Sequence, residues 1–163
     1  MVRVLFICHG NICRSPMAEF VFMDMVEKAG MGDDFHIASA ATSYEEIGNP
    51  VHYGTAGVLD RLGISYSGKR AVHLEKTDYK KYDYLVCMDS ANVRNTLKIV
   101  GDDKENKIHK LLEFAGSCKD VADPWYTGDF DTTYKDVLSG CRGTFERDKE
   151  KSKITAMFCQ VSV

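Results

Sequence analysis

Cys8 and Arg14 close a short run, Cys8-His9-Gly10-Asn11-Ile12-Cys13-Arg14-Ser15, in which five residues separate a thiol from a guanidinium. The spacing alone is weak: with six Cys and seven Arg in the chain, chance gives about a quarter of such a match. A second one, Cys141 to Arg147, lies inside a predicted helix with Glu146 beside its Arg and cannot fold into an anion cradle. The first has a different setting. Gly10 and Asn11 tolerate positive φ, and Ser15-Pro16 is a helix start. Such a loop can turn successive backbone N–H groups inward as a nest, while the helix N-terminus adds partial positive charge. The product is a phosphate-sized anion site, in which Arg14 can grip two phosphate oxygens with its planar fork. The same field favours the thiolate of Cys8, since helix N-termini and a nearby Arg lower thiol pKa values from about 8.5 by one to several units. Cys8 is then a standing nucleophile beneath a bound phosphate.

The loop needs a rigid frame. Val2–Ile7 is an apolar run suited to a strand buried on both faces. Helical patterning continues from Ser15-Pro16 to Lys28, with Gly30 beyond it. Further along we expect strands at Phe35–Ala41, Tyr84–Met88 and Ile108–Phe114, and helices at Thr55–Leu62, Ser90–Val100 and Thr132–Arg147. The alternation argues for a parallel sheet covered on both faces. In such sheets ligands sit beyond the carboxyl ends of the strands, which is where the Cys8 loop falls.

Attack on phosphorus needs an acid to protonate the departing oxygen, worth about 10²–10⁴-fold. Asp123 is the candidate. It heads Asp123-Pro124-Trp125-Tyr126, where Pro stiffens the loop and two aromatics can exclude water and form an apolar wall. Alone, Asp-Pro would read as a turn; paired with the first loop, it reads as chemistry.

Composition excludes much else. The chain has 163 residues, 44% hydrophobic and 28% charged, with a net charge of −3, which suits one globular domain over 1–163 and gives no field for gathering nucleic acid. Its only dense basic stretch, Lys149 to Lys153, is interrupted by Glu150 and Ser152. No apolar run approaches the roughly 20 residues of a membrane span, and Val4–Cys8 is too short for a signal peptide. A cytoplasmic monomer with reduced thiols is the expectation. No Cys-x-x-Cys occurs, so a zinc site is poorly supported, and no metal or cofactor is expected.

The N-terminal run Cys8-x-Gly10-Asn11-x-Cys13-Arg14-Ser15-Pro16, with the distant Asp123-Pro124 and its aromatics, resembles the low-molecular-weight protein tyrosine phosphatase family over about residues 2 to 147. The resemblance implies an α/β three-layer sandwich, its four-stranded parallel sheet in the flavodoxin-like order 2-1-3-4 with helices on both faces. It implies hydrolysis of phosphotyrosine in proteins or peptides, and of small aryl phosphates, through a phosphocysteine on Cys8, with Asp123 as acid and then base. Inorganic phosphate and vanadate are the implied active-site anions. His9, Gly10, Asn11, Ile12, Cys13, Arg14 and Ser15 would form the phosphate loop. Ser15 looks like the hydroxyl bonded to the thiolate, Asn11 like the side chain holding the loop's turn, and Ser39 like its partner. Asp89, in Cys87-Met88-Asp89, would be structural. Cys13 is similar to the neighbouring cysteine that traps Cys8 as a reversible disulfide.

The chain departs from the family where an aromatic followed by Asn often stands at the cleft mouth; here the residues are Tyr44-Glu45-Glu46. We expect Tyr44, Glu45, Ile12, Trp125 and Tyr126 to line the substrate cleft, with the glutamates repelling acidic peptides. Trp125 replaces one of a frequent tyrosine pair and leaves Tyr126 as the candidate there for phosphorylation. The tail from Asp148 to Val163 lies beyond the resemblance. Three other readings compete. A thioredoxin-coupled arsenate reductase needs two further cysteines close together, but Cys87 and Cys118 are 31 positions apart. A protein-arginine phosphatase tends to carry Thr where Ile12 stands. A phosphotyrosine-binding pseudoenzyme would not need Cys8, Arg14 and Asp123 together.

Overall fold

The computed structural model describes residues 1–160, with side chains through Lys151. Strand β1 (Val2–Cys8) pairs in parallel with β2 (Phe35–Ala41) on one side and β3 (Tyr84–Cys87) on the other. Strand β4 (Ile108–Lys110) pairs in parallel outside β3, so the order is 2-1-3-4, as expected. Alternation along β1 sorts its side chains between two cores. Val4, Phe6 and Cys8 face α1 (Arg14–Lys28) and the long C-terminal helix α6 (Phe130–Gln160), where Phe6, Phe22 and Phe35 meet edge to face. Leu5 and Ile7 face the other way, against Leu74, Leu85, Cys87 and Val100 of the α4 (Ser90–Val100) side. Helices α2 (Tyr53–Arg61), α3 (Asp78–Lys81) and α5 (Pro124–Thr127) are short.

β2 and α4 run as the sequence indicates, and elsewhere the boundaries move for local reasons. α2 begins two residues early, at Tyr53, because the His52 ring accepts from Gly54 N and caps it. β3 stops at Cys87. β4 therefore ends at Lys110, the partner of Cys87, because beyond that pair this edge strand has no ladder to extend. Leu111–Ala115 instead forms a 3-10 turn pressed against α6 at Gly140 and Gly143, where an added Cβ would lie 2.3 Å from Leu111 Cγ and 2.0 Å from the Phe114 carbonyl oxygen. α6 starts at Phe130 because Asp129 receives both the backbone N–H and the hydroxyl of Thr132. It runs on past Arg147, since the charged residues that follow include no Gly or Pro to stop it. The expected tail boundary at Asp148 is thus interior to a helix. Cys159 and Val161–Val163 lie outside the residues described at side-chain level. Among the described residues, no helix is long and apolar enough to cross a membrane.

Candidate active site

Cys8 ends β1 at the center of the sheet, and the chain turns through 9–13 into α1. Asn11 alone in this turn takes positive φ, at 58°. Gly10 does not; a Cβ there would stand 3.2 Å from Glu46 Cγ, so that side chain would have to give by a few tenths of an ångström. Neighbors tie the loop's carbonyls outward. Cys8 O accepts from Thr42 N, His9 O from Ser43 N, Ile12 O from His52 N, and Cys13 O from Met17 N and Thr55 Oγ1. A trans peptide points its N–H opposite to its C=O, so the N–H groups of His9, Gly10, Cys13 and Arg14 face the concave side. The start of α1 adds its partial positive charge. The turn expected from Gly, Asn and the Ser-Pro start is thus held by carbonyl tethers, with positive φ at Asn11 and not at Gly10.

Cys8 lies at its base and is buried, the residue 3% exposed. Asn11 N–H donates to Cys8 Sγ at 3.3 Å, and Ser15 Oγ is 3.0 Å from it. Ser15 is not the helix cap; Cys13 occupies that position without a side-chain bond. Asn11 Nδ2 donates to Ser15 Oγ and to Ser39 Oγ, both at 2.8 Å, while Asn11 Oδ1 accepts from Val72 N. Two residues that the sequence did not single out continue this chain: Ser39 donates to Glu19, and Lys69 Nζ lies 2.9 Å from the same carboxylate oxygen.

Arg14 is buried beside the sulfur. Nη1 donates to Asp89 Oδ2 at 2.6 Å and to Val121 O at 3.0 Å; Nη2 donates to Asp123 Oδ2 at 3.2 Å. These use three of a guanidinium's five N–H donors and leave two for a ligand. Burial works against the charged guanidinium, but Cys8, the Asp89 hydrogen bond and Asp123 outweigh it and raise its pKa above the ordinary value. Asp89 also caps α4 through a reciprocal box with Asn92, so one carboxylate fixes both a helix and the arginine. Asp123 caps α5 by accepting from Trp125 N, so the turn reading and the acid reading of Asp-Pro describe the same residue.

The pocket above the sulfur is lined by the Cys8 loop, including Ile12, and by Glu45, Glu46, Asp123, Trp125 and Tyr126. Tyr44 is not in the lining: its ring stacks on His73 at 3.8 Å between centroids. Glu45 takes that side of the mouth, bonded to His9 Nε2 at 3.0 Å. Trp125 and Tyr126 form the opposite wall but are 59% and 85% exposed, so they leave the mouth open rather than excluding water. Cys13 is buried, and burial first, then Cys8 and Asp123, push its thiol up to about 12. Cys87 and Cys141 are buried away from the pocket, and Cys118 is exposed.

Residues 3–154 match the family model described as low molecular weight phosphotyrosine protein phosphatase. The chain is 38% identical over 143 residues to low molecular weight protein-tyrosine-phosphatase YfkJ of Bacillus subtilis, covering 86% of this chain and 92% of that protein. The crystal structure of YfkJ superposes with a TM-score of 0.88 at 37% identity, over 93% of this chain and 96% of that one. PtpA, a low molecular weight protein-tyrosine-phosphatase of Staphylococcus aureus, is 39% identical over 142 residues, covering 86% and 90%. The crystal structure of SP-PTP, a low molecular weight protein tyrosine phosphatase from Streptococcus pyogenes, matches with a TM-score of 0.81 and 42% identity, over 90% and 93%.

Proposed function

This chain belongs to the low molecular weight phosphotyrosine protein phosphatase family, and we propose that it carries out that hydrolysis through a phosphocysteine on Cys8, with Arg14 gripping the phosphate and Asp123 as general acid and then general base. The single observation that supports this most is the convergence of Cys8, Arg14 and Asp123 on one pocket, although Asp123 is more than a hundred residues from the loop.

In the first step the Cys8 thiolate attacks phosphorus. The sulfur–phosphorus bond forms, the phosphorus–oxygen bond to the aryl group breaks, and Asp123 gives its proton to the phenolate oxygen. The inward N–H groups of the loop and the two remaining donors of Arg14 hold the charge on the phosphoryl oxygens as the transition state develops. In the second step Asp123, now a carboxylate, accepts a proton from water as the water oxygen attacks phosphorus. The sulfur–phosphorus bond breaks, and phosphate leaves with the thiolate restored.

Ile12, a buried apolar residue of the pocket lining, and the Trp125–Tyr126 wall suit a flat phenyl ring, which supports phosphotyrosine over phosphoarginine. Proteins or peptides bearing phosphotyrosine are the proposed partners, phosphate and vanadate the proposed anions, and residues 1–163 the proposed single domain. The chain is proposed to act as a monomer in the cytoplasm, where Cys8 stays reduced. Comparing phosphotyrosine, phosphoarginine and phosphoserine peptides of one sequence tests the substrate. The phosphotyrosine peptide should be hydrolysed with by far the highest kcat/KM, and faster turnover of the phosphoarginine peptide would reverse the reading.

A further inference from the structure

The pocket mouth carries fixed negative charge on one side and aromatic faces on the other. Glu45 Oε2 accepts from His9 Nε2 at 3.0 Å, and because a carboxylate only accepts, that ring nitrogen holds the hydrogen. The Cys8 loop itself thus anchors Glu45, whose side chain is still 71% exposed. Glu46 is fixed from within its own turn by Asn49 Nδ2 at 2.6 Å. Both carboxylates keep lone pairs for a further donor. Among the described residues, Arg14 alone of the lysines and arginines lines the pocket, and it is buried with Asp89 and Asp123 on its fork. Across the mouth Trp125 and Tyr126 present exposed rings, which can take the flat face of a guanidinium.

We propose that Glu45, anchored by His9, is a specificity-determining residue that selects phosphotyrosine with arginine beside it in sequence. The proposal rests on the reading of the pocket as a phosphotyrosine site. With phosphate in the cradle, the peptide backbone runs across the mouth, and the neighbors of the phosphotyrosine stand one Cα step of about 3.8 Å away. An arginine there meets a carboxylate that its fork can match and, opposite, the aromatic faces; a glutamate meets like charge. Lysine brings the charge without the plane. Selection goes further than repulsion of acidic peptides, because arginine must also outrun a neutral residue. The net charge of −3 attracts any basic peptide weakly, so a local role is distinguished by where on the molecule the charge is reversed.

The test uses the full chain and phosphotyrosine peptides of one sequence, with Arg, Lys, Ala or Glu on both sides of the phosphotyrosine, compared by kcat/KM. The proteins are wild type, Glu45→Gln, Glu45→Lys and Asp33→Lys. Asp33 is exposed just ahead of β2, at the end of the sheet opposite the pocket, so its reversal changes net charge as much as Glu45→Lys does. In wild type at low salt the arginine peptide should exceed the alanine one about threefold and the glutamate one about tenfold, mainly through KM, and the preference should shrink as salt rises. The lysine peptide should fall between arginine and alanine. Glu45→Gln, which keeps an acceptor for His9, should cut the arginine-to-alanine ratio by about half. Glu45→Lys should put the glutamate peptide ahead of the arginine one, and Asp33→Lys should leave the ratios as in wild type. An arginine peptide no faster than the alanine one overturns the proposal, as does a lysine peptide as fast as the arginine one. So do ratios that Glu45→Lys leaves in place or that Asp33→Lys shifts equally. Each ratio is taken within one variant, so a general loss of activity does not imitate selection; if Glu45→Lys fails to fold, the Glu45→Gln ratio decides. If wild type hydrolyses none of the phosphotyrosine peptides, or a phosphoarginine peptide faster, the reading of the site falls instead.

Discussion

Asp123 Oδ2 lies 3.2 Å from Arg14 Nη2, so the proposed acid and the proposed phosphate grip are joined before any substrate arrives. The contact spans 109 positions of sequence and sets Asp123 at the edge of the cradle, where an aryl oxygen would leave. Asp123→Ala should therefore lower kcat for a phosphotyrosine peptide by about 10²–10⁴-fold with little change in KM. The loss should be smaller for p-nitrophenyl phosphate, whose leaving group needs less protonation. Steady-state kinetics on both substrates checks this, and an unchanged kcat removes Asp123 from the acid role.

Asp89 does two jobs that can be separated. It holds Arg14 Nη1 at 2.6 Å and caps α4. Asn is as good a cap as Asp, so Asp89→Asn should keep the melting temperature near wild type. With its oxygen kept on the Asn92 N–H, the amide nitrogen of Asn stands where Oδ2 now accepts from Arg14, so the charged hydrogen bond to the guanidinium is lost. Such bonds are worth about 1.5–3 kcal/mol, so vanadate should inhibit about tenfold or more less tightly. Inhibition titrations beside thermal melts distinguish the two functions.

With its thiol pushed up to about 12, Cys13 is protonated at neutral pH and does not compete with Cys8 as a nucleophile. Cys13→Ser should leave kcat nearly unchanged. After peroxide treatment, wild-type protein should carry a Cys8–Cys13 disulfide and regain activity with a thiol reductant, whereas Cys13→Ser should be over-oxidised at Cys8 and regain less. Peptide mapping reads both outcomes.

Asp148 gives a prediction in pH. Burial pushes its carboxyl up from the ordinary 3.8, only partly offset by the Tyr84 hydroxyl, Lys151 and Arg147. A folded-state value above the unfolded one means the group costs nothing below the unfolded value and costs stability as pH rises through the folded value. Asn can still accept from Tyr84, so Asp148→Asn should raise the melting temperature at pH 7 and give no such gain at about pH 3. Melts at the two pH values check the sign.

The reach of sequence reasoning follows the range of the interactions. Cys8, Arg14 and Asp123 carry local marks, a glycine, a helix start or a proline beside them, and the fold brings the three to one pocket. Glu19 and Lys69 carry none. On a helix and in a loop, a Glu and a Lys read as solvated charges, and only the fold brings them together beneath Ser39. Tyr44 lies off the cleft because its ring stacks on His73, 29 positions away, a contact that no local pattern marks. The end of β4 depended on where its neighbor β3 stops, and the length of α6 on what did not interrupt it.

The central claim is a covalent phosphocysteine on Cys8. The most direct measurement is rapid acid quench of Asp123→Ala turning over p-nitrophenyl phosphate, followed by peptide mass mapping, because the loss of the base that activates water should let the intermediate build up. The account predicts phosphate on the peptide that carries Cys8 and none when Cys8→Ser is also present. Phosphate on another residue, or full activity in Cys8→Ser alone, would contradict it.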